Sequence, residues 1–368
     1  MLRIILIVTL ICLVLSNCQN PTQTIQENTG NTFAWQYSGY NDIVSPPTNQ
    51  NICAIDARYN GNDSYDVYMA RRAGYSRNEK IEFLRLLNID IDNPDPNKTW
   101  VSEKFGNNFQ CDPAFCLNRV DDYPQIIARR LEYGFKMVHY WRHPNGTWVQ
   151  QAVLNTRFVG SPTMISNKIA PHNLEVVYID YTDFKLKHIW REAQGGWHEV
   201  HTILPLLAGY EIHYNHSADP SKAGPSMAQT ANGIIHVAAI VRNISDGGFR
   251  VAYWNKGAHD GSWNFIGLCP VNGTTDEERR VQVVANNTAQ ASIFHFYDFY
   301  VDGYCTSGNE IPYYYSTFDF KMPDTYLIGF GAGSVTEWIS DPLHKVERIL
   351  VSFYGYSTQK NWLGWTRK

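Results

Sequence analysis

Charged residues are scarce in this 368-residue chain. They make up 18% of it, with 31 basic and 35 acidic side chains and a formal net charge of −4. An average globular chain has roughly 25% charged residues, and proteins that bind nucleic acid through their overall field carry an excess of positive charge. The composition therefore predicts no nucleic-acid partner.

The motifs of common catalytic and metal-dependent families are also missing. The chain has no Gly-x-Ser-x-Gly turn, no phosphate-binding glycine loop, no His-Glu-x-x-His motif and no Cys-x-x-Cys pair. Several carboxylates could serve a glycosidase, but the sequence brings no two of them together: Glu175, Asp180, Glu192, Glu199, Glu211 and Glu337. We predict no catalytic residue, no metal and no cofactor.

Long apolar runs are confined to the N-terminus. The segment MLRIILIVTLICLVLS has one basic residue, an apolar stretch and then the small Ser16, which is typical of a secretory signal peptide over residues 1–16. An uncleaved anchor is the alternative. No later run approaches the ~20 apolar residues of a membrane span, so we expect a secreted, extracellular chain over 17–368 without membrane insertion.

Cysteines and glycosylation sequons support export. Cleavage after Ser16 leaves six cysteines, and the pair Cys111 and Cys116, five positions apart, is the one disulfide that spacing suggests. The pairing of the other four stays open: Cys18, Cys53, Cys269 and Cys305. Seven Asn-x-Ser/Thr sequons, most of them at predicted turns, indicate a glycoprotein: Asn62, Asn97, Asn145, Asn215, Asn243, Asn272 and Asn286.

Aromatic residues are plentiful, and some of them recur in internal repeats. Residues 161–204 align with 224–268, and a shorter copy precedes them. Each copy has a proline, then a tryptophan, then a glycine turn into a second tryptophan. The matched sets are Pro124, Trp141 and Trp148; Pro162, Trp190 and Trp197; and Pro225, Trp254 and Trp263.

The repeats predict an all-β chain that forms a single β-propeller. Short strands rich in β-branched and aromatic residues alternate with turns, and nearly continuous apolar strands such as IIHVAAIV indicate burial on both faces. Small sheets buried on both faces stack radially in a propeller. We expect six blades, with five or seven as alternatives, closed by an N-terminal strand over 31–39. Residues 88–122 fit no strand pattern and are predicted to be an insert stapled by the disulfide.

The repeated cores HYWRHPNGTW, HIWREAQGGW and AYWNKGAHDGSW supply the candidate ligand-binding residues. Tryptophan offers a flat face to sugar C–H groups, and a neighbouring Arg or Asn can hydrogen-bond the hydroxyls. The candidates are Trp141, Arg142, Trp190, Arg191, Trp254 and Asn255. The competing interpretation is that these aromatic residues simply pack between blades.

The order of residues in 161–197 resembles the repeat of the six-bladed fucose-binding lectins of fungi and the related PLL-type propeller lectins of bacteria. The residues that carry the resemblance are Leu186, His188, Trp190, Gly196 and Trp197, and it extends over residues 160–270. It implies a propeller with sugar sites between blades. In the fungal lectins an Arg on the second strand and a Glu on the third hold fucose; here Glu175 and His188 take those places, so the resemblance implies the architecture and sugar sites between blades but not fucose as the ligand.

We therefore predict a secreted, non-catalytic carbohydrate-binding propeller with repeated sites between blades and with glycans or glycoproteins as partners. Two alternatives remain open at this stage. One is a glycoside hydrolase of propeller architecture, which needs two carboxylates roughly 5 to 10 Å apart. The other is a propeller that binds protein partners.

Overall fold

The computed structural model describes most of the chain between residues 34 and 367. The described ranges are 34–41, 54–61, 64–74, 79–90, 95, 97–167, 172–214, 224–230, 232–257, 261–269, 280–285, 290–297, 300–307, 313–318, 327–331, 350–355 and 360–367. The predicted signal peptide, Cys18, Cys53 and four of the sequons (Asn62, Asn215, Asn272 and Asn286) lie outside them.

The described strands all pair antiparallel and form successive four-stranded groups, here called units. Strand β1 is Ala34–Asn41. Unit 1 contains β2 to β5, which are Ala54–Gly61, Ser64–Arg72, Glu79–Asp90 and Val101–Phe109. Unit 2 contains β6 to β8 and the first part of β9, which are Ala114–Leu117, Pro124–Arg129, Lys136–Arg142 and Trp148–Ser166.

The remaining strands follow the same order. Unit 3 contains the second part of β9 and β10 to β12, which are His172–Asp180, Leu186–Glu192 and Trp197–Ile203. Unit 4 contains β13 to β17, which are Tyr210–Ile212, Ser226–Gln229, Ile235–Asn243, Phe249–Lys256 and Asn264–Cys269. The short strands β13 and β14 both pair with β15 and together take the place of the first strand of this unit. Unit 5 contains β18 to β21, which are Arg280–Ala285, Gln290–Tyr297, Tyr300–Ser307 and Tyr313–Phe318.

Unit 6 is completed by the N-terminal strand. It contains Leu327–Gly331, Leu350–Gly355 and Lys360–Arg367, which are β22 to β24. Strand β1 pairs with β24, with Ala34 opposite Arg367 and Tyr37 opposite Gly364. The predicted closure by an N-terminal strand is confirmed in this pairing, which covers an otherwise open sheet edge with another part of the same chain.

Strand β9 connects units 2 and 3 without a loop. Its first part pairs with β8, its second part pairs with β10, and Gly160 between them has φ +66, a value that favours glycine. The outer strand of one unit thus continues directly as the inner strand of the next.

Burial follows the position of a strand within its unit. All nine residues of β10 are buried, whereas most of β12 is exposed. The middle strands are covered on both faces because neighbouring units pack against them, as the continuous apolar runs predict. In the described part of the chain, the helical structure is one short 3-10 turn at Leu131–Tyr133, and no helix is long and apolar enough to cross a membrane.

Polar side chains join adjacent units along their inner strands. Asp56 Oδ2 accepts a hydrogen bond from the Leu117 amide at 2.8 Å, which links units 1 and 2. Ser226 Oγ accepts one from the Val283 amide at 2.9 Å, which links units 4 and 5. Such bonds satisfy inner-strand N–H groups that have no partner within their own sheet.

The prediction of a strandless insert over residues 88–122 is wrong. This region contains β5, the outer strand of unit 1, and β6, the inner strand of unit 2. Strand β5 escapes recognition because it is mostly polar and exposed, and β6 because it has four residues. The predicted disulfide is also missing from the structure: Cys111 and Cys116 are buried free thiols. Burial raises the pKa of Cys111 to about 11.

Candidate functional site

The repeated tryptophans occupy corresponding strands of units 2, 3 and 4. Trp141, Trp190 and Trp254 lie on the third strand of their units. Trp148 and Trp197 begin the fourth strands, and Trp263 immediately precedes one. The prolines correspond less well, because Pro124 lies on a second strand and Pro162 on a first strand.

Each of the second tryptophans faces the preceding unit. Trp148 meets the Phe83 ring edge-on at 5.2 Å, and Trp197 meets the His139 ring edge-on at 5.3 Å. Trp263 meets the His188 ring at 5.4 Å in the same manner. We name the surfaces where these contacts occur interface 1/2, interface 2/3 and interface 3/4.

A cation accompanies the tryptophan at every one of these interfaces. Arg142 lies directly opposite Trp148 in the β8–β9 ladder, and Arg191 lies opposite Trp197 in the β11–β12 ladder. Directly opposed residues share a face of the sheet. In unit 4 the cation is Lys256, whose Nζ lies 5.4 Å from the Trp263 ring centroid.

At interface 1/2 the cation is neutralised by a carboxylate of unit 1. Glu103 Oε1 accepts hydrogen bonds from Arg142 Nε at 2.7 Å and from Trp148 Nε1 at 2.9 Å. Partial burial raises the pKa of Glu103, but these two bonds and the Arg142 charge outweigh it, so the pKa lies below its ordinary value. Glu103 is therefore ionised, and it accepts the hydrogen bonds that Arg142 and Trp148 could otherwise donate to a ligand.

At interface 3/4 the cation is neutralised by Glu175, which is fully buried. His172 Nδ1 lies 2.7 Å from Glu175 Oε1, His188 Nε2 donates to Oε2, and Lys256 Nζ lies 3.4 Å from Oε2. Burial raises the pKa of Glu175, but the hydrogen bonds from both histidines and the Lys256 charge lower it well below its ordinary value. This interface is filled by the protein's own charges.

Interface 2/3 has neutral groups in the corresponding places. Gln125 stands where Glu175 stands in unit 3, because Gln125 lies opposite Trp141 as Glu175 lies opposite Trp190. His139 Nε2 lies 2.9 Å from Gln125 Oε1, and Trp197 Nε1 donates a long 3.4 Å bond to His139 Nδ1. Burial, helped by the charge of Arg191, lowers the pKa of His139 to about 3, so this ring is neutral.

Arg191 is consequently a cation without an ion-pair partner among the described residues, and the acidic side chain whose charge acts on it is the exposed Asp121. Arg191 is half-buried, and none of the described residues forms an ion pair or hydrogen bond with its guanidinium. Burial lowers its pKa, and Asp121 only partly offsets this. Because Arg191 lies opposite Trp197, which meets His139 of unit 2, its side chain is on the face of unit 3 that forms interface 2/3.

The six predicted ligand-binding residues are not equivalent in the structure. Trp141 is half-buried and lies opposite Gln125, on the face of unit 2 that forms interface 2/3, with Tyr123 and His143 against its ring. Trp190 has both faces covered, because His172 and His198 stack on it at 3.8 Å each. The structure thus brings Trp141 and Arg191 to one interface and binds Arg142 to Glu103.

Trp254 and Asn255 do not occupy the positions of Trp190 and Arg191, to which the repeat alignment made them equivalent. Trp254 is fully buried in the same apolar cluster as Val177 of unit 3, and its indole N–H donates to the Pro205 carbonyl. Asn255 is buried as well. The two tryptophans of this repeat are nine residues apart rather than seven, and a shift of one residue in register reverses the face of every side chain. The cation of unit 4 is therefore Lys256, which the alignment missed.

A separate cleft of about 1210 Å³ opens between the outer parts of units 3 and 4. Its walls come mainly from the apolar segment 203–208, strand β13 and Phe184. Charged side chains also line it, among them Asp183, Lys185, Glu211 and Arg242, but its lining lacks the tryptophan beside a cation that interface 2/3 has. Among the described residues, no group of three or more His, Cys, Asp or Glu side chains could hold a metal.

No protein-family model matches the sequence, and no curated protein matches it. Solved structures do. An α-L-arabinanase of Penicillium chrysogenum complexed with arabinobiose aligns with a TM-score of 0.57 and 10% identity, over 92% of this chain and 98% of the other. The Aleuria aurantia lectin in complex with α-methyl-L-fucoside aligns with a TM-score of 0.54 and 11% identity, over 87% and 94%. The chain is a β-propeller.

A third solved structure aligns to a similar extent. The α-L-arabinofuranosidase of Fusarium graminearum, solved with arabinobiose, has a TM-score of 0.54 and 13% identity over 89% of this chain and 97% of its own. These similarities establish the propeller architecture. They include a lectin and two hydrolases, so the fold by itself does not separate binding from catalysis.

Proposed function

We propose that this propeller is a non-catalytic carbohydrate-binding protein and that, within the described part of the chain, the ligand binds at interface 2/3. The observation that carries the proposal is the contrast between three equivalent interfaces. Glu103 and Glu175 fill interfaces 1/2 and 3/4, whereas at interface 2/3 the cation forms no ion pair with a described residue and lies beside two half-buried tryptophans, Trp141 and Trp197.

The chemistry of interface 2/3 suits a saccharide. An indole ring packs against the apolar face of a sugar, and a guanidinium has five N–H donors for ring oxygens and hydroxyls. Propellers of similar architecture have been solved with arabinobiose and with α-methyl-L-fucoside. Those ligands support the choice of carbohydrate as the ligand class for this chain.

Glycoside hydrolysis is the second candidate, and it is favoured by the similarity to the arabinanase and the arabinofuranosidase. A glycosidase needs an acid and a second carboxylate facing one sugar from roughly 5 to 10 Å apart. At interface 2/3 the acidic group near Arg191 is Asp121, and the neighbouring polar groups, Gln125 and His139, are neutral. A second carboxylate at this interface, Glu199, already accepts hydrogen bonds from the amide and the hydroxyl of Thr156. Binding without cleavage is therefore the better match.

We further propose that the units are six blades of one ring and that the chain is secreted and glycosylated. The leader and the sequons motivate the second part of this proposal. Of the described sequon residues, Asn97 and Asn145 are exposed and Asn243 is partly exposed, so their side chains are accessible to a glycan. If no glycan on the array described below is bound, a protein surface becomes the alternative partner.

Replacing Trp141 by Ala is expected to weaken saccharide binding about tenfold, because burial of an aromatic face against the sugar is lost. The measurement is a glycan array followed by calorimetric titration of the best saccharide. Arg157→Gln, which alters an exposed residue on the outer part of β9, is the control.

The same saccharides and chromogenic arabinosides are then incubated with the protein. Release of product that a single carboxylate substitution abolishes would establish the hydrolase instead. Equal binding by the Trp141→Ala variant would remove interface 2/3 as the site, and an array without any bound glycan would contradict carbohydrate binding altogether.

A further inference from the structure

Interfaces 1/2 and 3/4 each contain a carboxylate beside the cation, and interface 2/3 lacks one in ion-pair contact with Arg191. At interface 1/2 a carboxylate accepts hydrogen bonds from both members of the Arg–Trp pair. At interface 3/4 a carboxylate receives the lysine that accompanies Trp263. The same arrangement at interface 2/3, Arg191 opposite Trp197, has no described carboxylate within ion-pair distance.

The ladder register identifies the place of the missing group. Glu103 lies opposite Phe83 in the β4–β5 ladder, and Phe83 is the residue that meets Trp148 edge-on. In unit 2 the residue that meets the next tryptophan edge-on is His139, and the residue opposite His139 is Ala152. Ala152 is partly exposed. A glutamate side chain at interface 1/2 is thus replaced by a methyl group at interface 2/3.

This substitution removes the side chain that would pair with the cation, and Arg191 forms no ion pair with a described residue. A half-buried guanidinium is a strong and directional partner for a carboxylate, which it can bind through two parallel hydrogen bonds. Interface 1/2 shows that this fold positions an Arg and an indole N–H to share one carboxylate oxygen.

We propose that interface 2/3 binds a saccharide that carries a carboxylate, and that this carboxylate takes the position above Ala152 that Glu103 takes at interface 1/2. The inference rests on the proposed carbohydrate-binding function and names its ligand class. The acid lies beside Arg191 and accepts a hydrogen bond from the indole of Trp197 in place of its long 3.4 Å bond to His139, while the sugar ring packs toward Trp141. A uronic acid and a sialic acid both supply the required group.

The test compares matched acidic and neutral saccharides. Oligosaccharides ending in glucuronate or galacturonate are titrated beside their glucose- and galactose-terminated counterparts, and sialylated glycans beside their desialylated forms. The acidic member of the bound pair is expected to bind at least about tenfold more tightly, since a charged hydrogen bond is worth about that factor. Arg191→Gln should bring the ratio close to one, and Arg157→Gln should leave it unchanged.

A second variant builds the missing carboxylate into the protein. Ala152→Glu should pair with Arg191 and abolish the acid preference, while the isosteric Ala152→Gln should weaken both saccharides but keep their ratio. Thermal unfolding of both variants verifies that they fold. A ratio near one in the unaltered protein would overturn the inference and leave the proposed function standing, whereas absence of binding by both saccharides would overturn both. An Ala152→Glu variant that retains the preference would also overturn the inference.

Discussion

Replacing Glu175 by Gln is expected to lower the free energy of unfolding by about 3 to 5 kcal/mol, because removal of one partner of a buried ion pair leaves the other without this counter-charge. Glu175 is fully buried and contacts His172, His188 and Lys256. The glutamine keeps the shape of the side chain, so the loss reports the charge. Urea unfolding followed by tryptophan fluorescence is the measurement.

Two further variants isolate this effect. The double variant Glu175→Gln, Lys256→Met removes both charges and is expected to recover part of the stability, because an apolar replacement of a buried pair is often tolerated. Glu103→Gln removes the corresponding, more exposed carboxylate of interface 1/2 and is expected to cost much less. Equal losses in Glu175→Gln and Glu103→Gln would show that burial of the charge is not the cause.

Replacing Trp254 by Ala is expected to cost about 3 to 5 kcal/mol of stability without changing saccharide affinity in the folded fraction. The ring is fully buried between units 3 and 4, and truncation of a large buried side chain loses its transfer energy and leaves a cavity. For Trp141→Ala, at a half-buried position, we expect the opposite result, which is a smaller loss of stability and weaker saccharide binding. Chemical unfolding and calorimetric titration of both variants give the comparison.

The opposite effects expected for the Trp254 and Trp141 variants therefore test the repeat alignment. The sequence places the two tryptophans at equivalent repeat positions, whereas the structure gives them different faces. A Trp254→Ala variant that folds with unaltered stability but has lost saccharide binding would restore the sequence-based assignment and contradict the structural one.

Much of the architecture could be predicted from the sequence because its signals are local. The alternation of short apolar strands and turns predicts the successive sheets, and the incomplete last repeat predicts the closure by β1. Strand β5 was missed because an outer, exposed strand has little apolar pattern, as its run VSEKFGNNF shows. Strand β6 was missed because four residues are too few for a period to be recognised.

The candidate site could be predicted only in part. The repeat pattern identifies Trp141 and Arg191 but gives the same status to Arg142, whose partner Glu103 lies 39 positions earlier in another unit. Lys256 was missed because the longer turn between Trp254 and Trp263 changes the ladder register. Which cation lacks an ion-pair partner depends on contacts between units, and these contacts have no local signature in the sequence.

We propose interface 2/3 as the ligand site, whereas Glu103 and Glu175 fill interfaces 1/2 and 3/4. Nuclear magnetic resonance of the indole N–H groups in protein labelled with ¹⁵N-tryptophan tests this proposal directly, with the signals assigned by Trp→Phe variants. On titration with the saccharide that binds best on the array, we expect the Trp197 resonance to shift and those of Trp148 and Trp263 to stay in place. A shift of Trp148 or Trp263 with an unchanged Trp197 would contradict the account.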